Sequence, residues 1–522
     1  MNLLTNPTFR VQTSAEPTVM TLPELMSALG RDEVEHLVGI QRHQEDAFHV
    51  FLCYLGAVIL ARRGDDDPVQ DEEYWLTGLK KLAEPFEDEA WTLVVEDTQR
   101  PAFMQAPLPP GDEARLKPIE PVEYAADALD LLQTAKNHDV KWARLSQPHV
   151  DDWVYSLVSL QTMSGFLGRG NYGIVRMNSG FGNRPIVELI RSSRPGRRWS
   201  DAVIRLLDHR REVLAGEYGY DPQGLVLVWL EPWDGSKQLS LSDLDPFFIE
   251  ICRRVRLRNG ERIHVHSLPT NATRIDAEKL KGDLGDPWLP IELRDEEPKA
   301  LTVPSYGISA NLIRRLLFPR ESQLRLTALQ RPQASWEGPV WLSMSVMIRG
   351  QGTTDGFHEE SVLIPSSAQR RVFGLPQRRE PLAALSKTAM EYTGIMQNRV
   401  LKPAVFAFFQ GGPEKIDFGS DSAQAWWGSC ARRFEALWST EFFPWLWSVP
   451  EPFDDQQELR EWARRLRDHA LTVLREAQEG MPERQGRRYR ARVEADRVFW
   501  GALYNEKNFP FLREERYEHT GS

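Results

Sequence analysis

The sequence has few cysteines, no long apolar run and a shortage of positive charge. Its three cysteines, Cys53, Cys252 and Cys430, lie so far apart that their spacing predicts neither a metal knuckle nor a redox pair, and each is expected to be a small buried residue. No apolar run approaches the roughly 18 residues that a membrane span needs. Residues 1–5 also lack the pattern of a secretory signal. The sequence therefore predicts a cytoplasmic protein without a membrane segment.

Acidic residues outnumber basic ones. The 522 residues include 64 Lys and Arg and 75 Asp and Glu, which gives a net charge of -11. A protein that coats nucleic acid by itself relies on many Lys and Arg contacts to phosphate, so this balance excludes that class. Any nucleic-acid role must be local. Arginines cluster in three segments: Arg191, Arg194, Arg197 and Arg198; Arg253, Arg254, Arg256 and Arg258; and Arg484, Arg487, Arg488, Arg490 and Arg492. Phosphate binding and ion pairing with acidic residues both remain open for each cluster.

Catalytic motifs are missing as well. The chain contains no Walker-type loop, no Gly-x-Ser-x-Gly elbow and no His-Glu-x-x-His pair. His138 and Asp139 leave open a metal-dependent phosphohydrolase of the HD type, with upstream histidines as further ligands. His264 and His266 alternate on a predicted strand, but no third metal ligand accompanies them. The sequence predicts a protein that is not an enzyme and that holds no metal or cofactor.

The patterning predicts an α+β fold, with a large mixed N-terminal domain with β-hairpins over 1–370 and a C-terminal four-helix bundle over 371–522. A helix is expected from Thr21, an N-cap, to about residue 40, and another over 43–60. Short alternating runs between about 225 and 365 favour strands. Apolar residues at three- and four-residue spacing indicate the C-terminal helices: Leu459, Trp462, Ala463, Leu466, Ala470, Val473, Leu474 and Ala477, then Val493, Phe499, Trp500, Leu503 and Tyr504.

The clearest predicted strand covers 340–348, where Val340, Leu342 and Met344 begin an apolar face that alternates with Trp341 and Ser343. It leads into a polar, glycine-containing segment over 349–356, and a second run over 357–364 returns. This pattern predicts a β-hairpin with a long, loose tip.

Glycine is concentrated in residues 165–185, where six glycines fall within eighteen positions among Arg, Asn and aromatic residues. Such a composition is poor for a packed core and suits a backbone that approaches another molecule closely. Backbone N–H groups and Asn side chains can address minor-groove acceptors, while Arg169, Arg176 or Arg184 can meet phosphates or a narrow groove.

Two other interpretations of the glycines stay open. Gly168, Gly170 and Gly173 fit a dinucleotide-binding fingerprint, although the helical pattern before them disfavours that fold. The glycines also suit a turn region with a structural role only.

Several segments, taken in order, resemble the CasA family, the large subunit of the type I-E Cascade complex of CRISPR interference. The resemblance rests on residues 2–5, 101–105 and 134–139 and is strongest over 165–185. The hairpin tip and the helical C-terminal part extend it to nearly the whole chain.

The resemblance implies a non-catalytic subunit that recognises the protospacer-adjacent motif in double-stranded target DNA and helps to open the duplex. The implied DNA-binding glycine loop consists of Gly165, Phe166, Gly168, Arg169, Gly170 and Asn171. The implied hairpin wedge consists of Arg349, Gln351, Thr353 and Thr354. Because guide pairing reads the long sequence, a few base contacts suffice for such a subunit.

The same resemblance implies further partners. Lys136, Asn137 and His138 would dock near the 5′ end of the guide RNA and the backbone subunits. The C-terminal bundle would contact the small subunits and the displaced strand, and a face of the large domain would recruit the helicase-nuclease. The phosphate candidates on the bundle are Arg487, Arg488 and Arg490. A purely architectural subunit and the HD phosphohydrolase remain the alternatives.

Overall fold

The computed structural model describes residues 1–119, 126, 129, 149–178, 182–260, 262–293, 297–320, 323–350, 353–480 and 488–512. The side chains of 349, 350 and 353–355 lie outside this description. The chain forms two compact units, of which the first comprises Met1–Ile308 and Ser322–Leu363 and the second comprises Ser309–Glu321 and Ile364–Ser522. The predicted domain boundary at 370/371 stays a prediction.

The first unit combines helices with short strands. Its helices are α1 (Leu22–Gly30), α2 (Arg42–Arg63), α3 (Glu72–Leu82), α4 (Val150–Met163) and α5 (Pro195–Ala215). Its strands are β1 (Phe9–Thr13), β2 (Pro17–Met20), β3 (Val34–Leu37), β4 (Lys117–Pro118), β5 (Ile186–Ile190), β6 (Leu225–Leu227), β7 (Leu244–Ile249), β8 (Arg254–Arg258), β9 (His264–Leu268), β10 (Ile291–Glu292), β11 (Lys299–Ala300), β12 (Leu324–Arg325), β13 (Val340–Gly350) and β14 (Thr353–Ile364).

The strands form small sheets rather than one large one. Within the described ranges, four three-stranded sheets have the orders β2-β1-β3, β11-β10-β12, β14-β13-β5 and β4-β9-β8, and β6 pairs with β7 in parallel. Strand β13 runs antiparallel to β5, with Trp341 opposite Ile190 and Ser345 opposite Ile186. The sheet of β5, β13 and β14 therefore connects the predicted hairpin with the chain that follows the glycine-rich segment.

Helix α2 is the centre of the core, because it packs against both α4 and α5 and is buried along most of its length. In the described part of the chain it is also the one helix with the length and composition of a membrane span, at a mean hydropathy of 1.2. However, 83% of its apolar stretch is buried inside the protein. Its apolar side chains are thus used by the core.

Two sequence predictions about the first unit need correction. Thr21 caps α1 as expected, since its side chain accepts from the Glu24 N–H, but the helix ends at Gly30 and a strand follows. The hairpin does not have a long loose tip, since β13 extends to Gly350 and β14 already begins at Thr353. The two strands thus continue through the polar residues near the tip, which the alternating apolar pattern does not predict to be strand.

The second unit is helical. Its helices are α6 (Ala310–Leu317), α7 (Ser366–Val372), α8 (Pro376–Ile395), α9 (Lys402–Phe409), α10 (Asp421–Ser448), α11 (Asp455–Gly480) and α12 (Arg488–Leu503). A π-helical turn over Met396–Leu401 joins α8 and α9 into one continuous run. With α10, α11 and α12 this run makes four long packed helices, and the predicted α+β fold class is confirmed.

The core of the bundle follows the predicted spacing. Every α11 residue that the three- and four-residue pattern selects is buried, from Leu459 to Ala477. On α12, Phe499 and Leu503 are buried, but Val493 is 49% exposed, so that part of the pattern was wrong. Trp462 lies at the centre: its ring stacks on Trp445 at 4.8 Å and its Nε1 donates to Thr393 Oγ1 at 3.1 Å.

Replacing Trp462 should unfold the bundle more easily. Trp462→Ala removes a fully buried ring and its hydrogen bond, so we expect a loss of about 3–5 kcal/mol in the free energy of unfolding. Tyr489→Ala on α12 is the control, because Tyr489 is 83% exposed and its loss should cost within about 0.5 kcal/mol. Denaturant unfolding followed by tryptophan fluorescence measures both. Equal losses in the two variants would contradict this assignment of the core.

Candidate nucleic-acid interface

The glycine loop, residues 165–173, leaves α4 and turns sharply at its tip. Gly168 and Gly170 have φ of +108° and +93°, which side-chain-bearing residues rarely adopt. The Asn171 N–H donates to the Gly168 carbonyl at 3.0 Å, and the Leu167 N–H donates to the Asn171 carbonyl at 3.0 Å. A Cβ built at Gly168 would meet no atom within 4 Å. The tip of the loop is therefore open on the side of Gly168.

One side of the loop is fixed by Thr270, which follows β9. The Thr270 N–H donates to the Gly170 carbonyl at 2.8 Å, and the Thr270 Oγ1 accepts from the Tyr172 N–H at 3.0 Å. Thr270 is itself buried. This reciprocal pair of hydrogen bonds holds the loop against residues 269–271.

The base of the loop is closed by Arg253, which stands immediately before β8. Its Nη2 donates to the Gly165 carbonyl at 2.8 Å, and its Nη1 donates to the Tyr172 carbonyl. One guanidinium thus joins the two ends of the loop. Gln161 on α4 in turn accepts from the Arg253 N–H at 2.8 Å and fixes its backbone.

The exposed side chains of the loop are polar. Arg169 and Asn171 are exposed, and neither side chain has a hydrogen-bond or ion-pair partner among the described residues. Phe166 and Tyr172 are half-buried and meet edge to face at 5.4 Å, which covers the base of the loop. Gly165 is buried. Of the predicted loop residues, Arg169 and Asn171 are free to meet a ligand, and the others shape the backbone.

Arg176 and Arg184 do not have the phosphate-binding position that the sequence suggested. Both are buried against Asp286, whose Oδ2 lies 2.8 Å from Arg184 Nε and 3.8 Å from Arg176 Nη1. The Arg176 guanidinium also lies 4.1 Å from the centre of the Phe248 ring. Burial alone would raise the pKa of Asp286, but the two arginines hold it below its usual value. They are core residues.

Most arginines of the first two clusters are likewise used inside the protein. Arg198 forms ion pairs with Asp46 on α2 and Glu188 on β5. Other arginines of these clusters also bind carboxylates or backbone carbonyls of the protein. The partners are Asp201 for Arg191, Asp32 for Arg194, Asp112 for Arg254, the carbonyls of Val95 and Arg100 for Arg256, and Glu113 for Arg258. Ion pairing and carbonyl binding thus account for these clusters, and Arg197 alone among them is exposed with no partner in the described chain.

The predicted wedge residues fall at the end of the hairpin. Arg349 lies in β13, and Thr353 and Thr354 begin β14, but their side chains and the whole of Gln351 are outside the described residues. The last residue of β13 that pairs with β5 is Ser345, so β13 continues about 16 Å beyond Ile186. The chain enters β5 from the glycine loop on that side.

The other predicted sites are only partly described. Lys136, Asn137, His138 and Asp139 lie outside the described residues, as does Arg487. On α12, Arg488 Nη2 donates to the Gln478 carbonyl at 3.4 Å, whereas Arg490 is exposed. The described residues contain no group of three or more His, Cys, Asp or Glu side chains that could hold a metal.

Sequence reasoning missed the residues that support the loop. Arg253 was grouped with phosphate-binding candidates, and neither Thr270 nor Glu250 was singled out. Glu250 is buried, and its Oε1 accepts from the Val175 N–H at 2.9 Å just after the loop. These residues stand 75 to 100 positions from their partners, and no local pattern marks such contacts.

No family model and no curated protein matches this sequence. Solved structures do, and they define the fold as that of CRISPR-associated proteins. Among the similar chains, CasA of Thermus thermophilus is 14% identical, with a TM-score of 0.63 over 96% of this chain and 99% of that one.

Two further structures agree. Cse1 of Acidimicrobium ferrooxidans is 13% identical, with a TM-score of 0.63 over 97% of this chain and 98% of that chain. A chain of a CRISPR RNA-guided surveillance complex is 14% identical, with a TM-score of 0.61 over 97% and 99%. The resemblance to CasA is thus confirmed at the level of the fold, over nearly the whole chain.

The buried carboxyl of Glu250 should make stability depend on pH. Burial raises its pKa to about 7, although the Val175 N–H and Arg176 act in the opposite direction. A pKa above that of the unfolded chain means that the stabilising contribution is complete below about pH 4.5 and is lost as the pH rises through about 7.

Glu250→Gln keeps an oxygen for the Val175 N–H and cannot ionise. Between pH 5 and pH 8 the wild type should lose on the order of 3 kcal/mol relative to this variant. Denaturant unfolding across this pH range measures the difference, with Glu217→Gln at an exposed position as the control. Parallel profiles for wild type and Glu250→Gln would contradict the assignment.

Proposed function

We propose that this chain is the large, non-catalytic subunit of an RNA-guided CRISPR interference complex of the Cascade type. In this role it recognises the protospacer-adjacent motif of double-stranded target DNA and helps to open the duplex. The observation that carries the proposal is the CasA fold over 96% of the chain together with an open glycine loop whose exposed side chains are polar.

The chemistry of the loop supports this role. The N–H groups of Gly168, Arg169 and Gly170 have no acceptor among the described residues, and the positive φ values at the tip bring backbone rather than side chain to the surface. Minor-groove edges present mainly acceptors, so a row of backbone donors suits them. Arg169 adds one cation that is free to meet a phosphate. A few base contacts are enough for such a subunit, because base pairing with the guide RNA recognises the rest of the target sequence.

The remaining roles belong to the same proposal. The hairpin of β13 and β14 acts as the wedge through Gln351, Thr353 and Thr354, and residues 136–138 dock near the guide RNA 5′ end. The bundle contacts the other Cascade subunits, with Arg490 as an exposed cation for the displaced strand. The complex recruits the helicase-nuclease and works in the cytoplasm. Because the net charge is -11, the other subunits supply most of the affinity for phosphate.

A charge at the tip of the glycine loop should weaken target binding. Gly168→Asp adds a carboxylate in open space beside the unpaired N–H groups, where like-charge repulsion of DNA should lower affinity by about tenfold or more. The measurement is equilibrium binding of a matched duplex by the complex assembled with guide RNA.

Gly219→Asp is the matched control, since Gly219 also has a positive φ of +76° and open space around its Cβ. It should bind as the wild type does. Both variants should assemble normally. If Gly168→Asp assembles and binds the duplex as tightly as the wild type, the loop does not contact DNA, and a purely architectural subunit becomes the better account.

A further inference from the structure

Arg253 holds a positive charge behind the glycine loop without an acidic partner. It is 7% exposed, and no carboxylate of the described chain lies within ion-pair distance of it. Its guanidinium donates instead to the carbonyls of Gly165, Tyr172 and Cys252. A buried cation is costly unless it is paired or well hydrogen-bonded. Unlike its neighbour Arg254, which pairs with Asp112, Arg253 is used to bind backbone.

In the loop, the backbone carbonyls and the backbone N–H groups differ in how many of them form hydrogen bonds. The carbonyls of the loop that accept hydrogen bonds from other groups are those of Gly165, Gly168, Gly170, Asn171 and Tyr172. Three consecutive N–H groups, those of residues 168–170, donate to no described residue. Because these carbonyls already accept hydrogen bonds and the three N–H groups do not donate to the described chain, the tip presents hydrogen-bond donors to a ligand. Arg253 donates to the first and the last of these carbonyls, those of Gly165 and Tyr172.

We infer that Arg253 is the positioning residue of the glycine loop and sets its selectivity for the bases of the DNA motif. By binding both ends of the loop it fixes the shape in which the three N–H groups are presented to acceptors on the base edges. Arg253 touches no ligand itself. This inference rests on the proposed function, because it names the residue that gives the loop its readout.

Two mechanisms for Arg253 make different predictions. If it positions the loop, its planar fork is needed, since one guanidinium spans two carbonyls and a lysine ammonium is a single point on a flexible stem. If it acts only as a buried charge, Arg253→Lys should bind as the wild type does, and Arg253→Gln should lower the affinity for every duplex equally. Discrimination between bases thus separates a positioning role from a merely electrostatic or structural one.

The test compares Arg253→Lys and Arg253→Gln in the complex assembled with guide RNA and the other subunits. The wild-type complex first selects its preferred motif from duplexes randomised at that position. Binding is then measured for the preferred duplex and for one with a scrambled motif. Both variants should lower the ratio of the two affinities by about tenfold, the effect of losing hydrogen bonds to a charged donor.

Arg256→Lys is the matched control. Arg256 lies in β8, three residues further along the chain, is also buried, and also donates to backbone carbonyls, but those belong to residues 95–105. The control variant should lower the thermal midpoint of the complex and leave the affinity ratio unchanged. If Arg253→Gln fails to assemble, Arg253→Lys carries the test, because it keeps the charge and most of the volume.

The outcomes separate the inference from the proposed function. A wild-type affinity ratio in Arg253→Lys, with Gly168→Asp still impaired, overturns the positioning role and leaves DNA recognition intact. Equal weakening of both duplexes by Arg253→Gln, with Arg253→Lys binding as the wild type does, also overturns it and assigns Arg253 a purely electrostatic role. If the wild-type complex shows no preference among motifs, the proposed function itself fails.

Discussion

A loop with four glycines in nine residues has few side chains to pack, so hydrogen bonds fix its shape, and those at its base and along one side come from outside the loop. Arg253 closes the base of the loop through two carbonyls, and Thr270 fixes the tip through Gly170 and Tyr172. Gln161 on α4 holds the Arg253 backbone, and it also donates to the carbonyls of Met104 and Arg253. The loop is therefore positioned by the core of the first unit, although its own tip is open.

This arrangement reconciles the acidity of the chain with the proposed nucleic-acid role. Most arginines in the clustered segments bind carboxylates or carbonyls inside the protein, which accounts for their number without implying phosphate contacts. In these segments and the glycine loop, Arg169, Arg197 and Arg490 are exposed without a hydrogen-bond or ion-pair partner among the described residues. In the proposed role, these segments leave few unpaired cations for phosphate, so the chain would inspect DNA that the assembly holds and add little affinity of its own.

The fold was largely predictable because hydrophobic periodicity records burial. The α11 pattern around Trp462 identified the bundle core, and the run over 43–60 identified the central helix α2 to within a few residues. The helix predicted from Thr21 to about 40 was too long, since apolar residues continue into β3 and periodicity alone does not mark the change. The hairpin tip was misjudged because polar residues also form ladder hydrogen bonds.

The candidate site was predictable only where composition is unusual. The glycine excess located the loop, but the sequence could not separate Arg169, which is exposed, from Arg176 and Arg184, which pair with Asp286 in the core. That distinction depends on contacts between residues about 100 positions apart. The most direct measurement is photocross-linking from position 171 of the assembled complex, since the Asn171 side chain has no partner in the described chain. If the glycine loop contacts DNA, cross-links form to the base pairs that flank the target at the duplex entrance; cross-links to protein or guide RNA alone would contradict that contact.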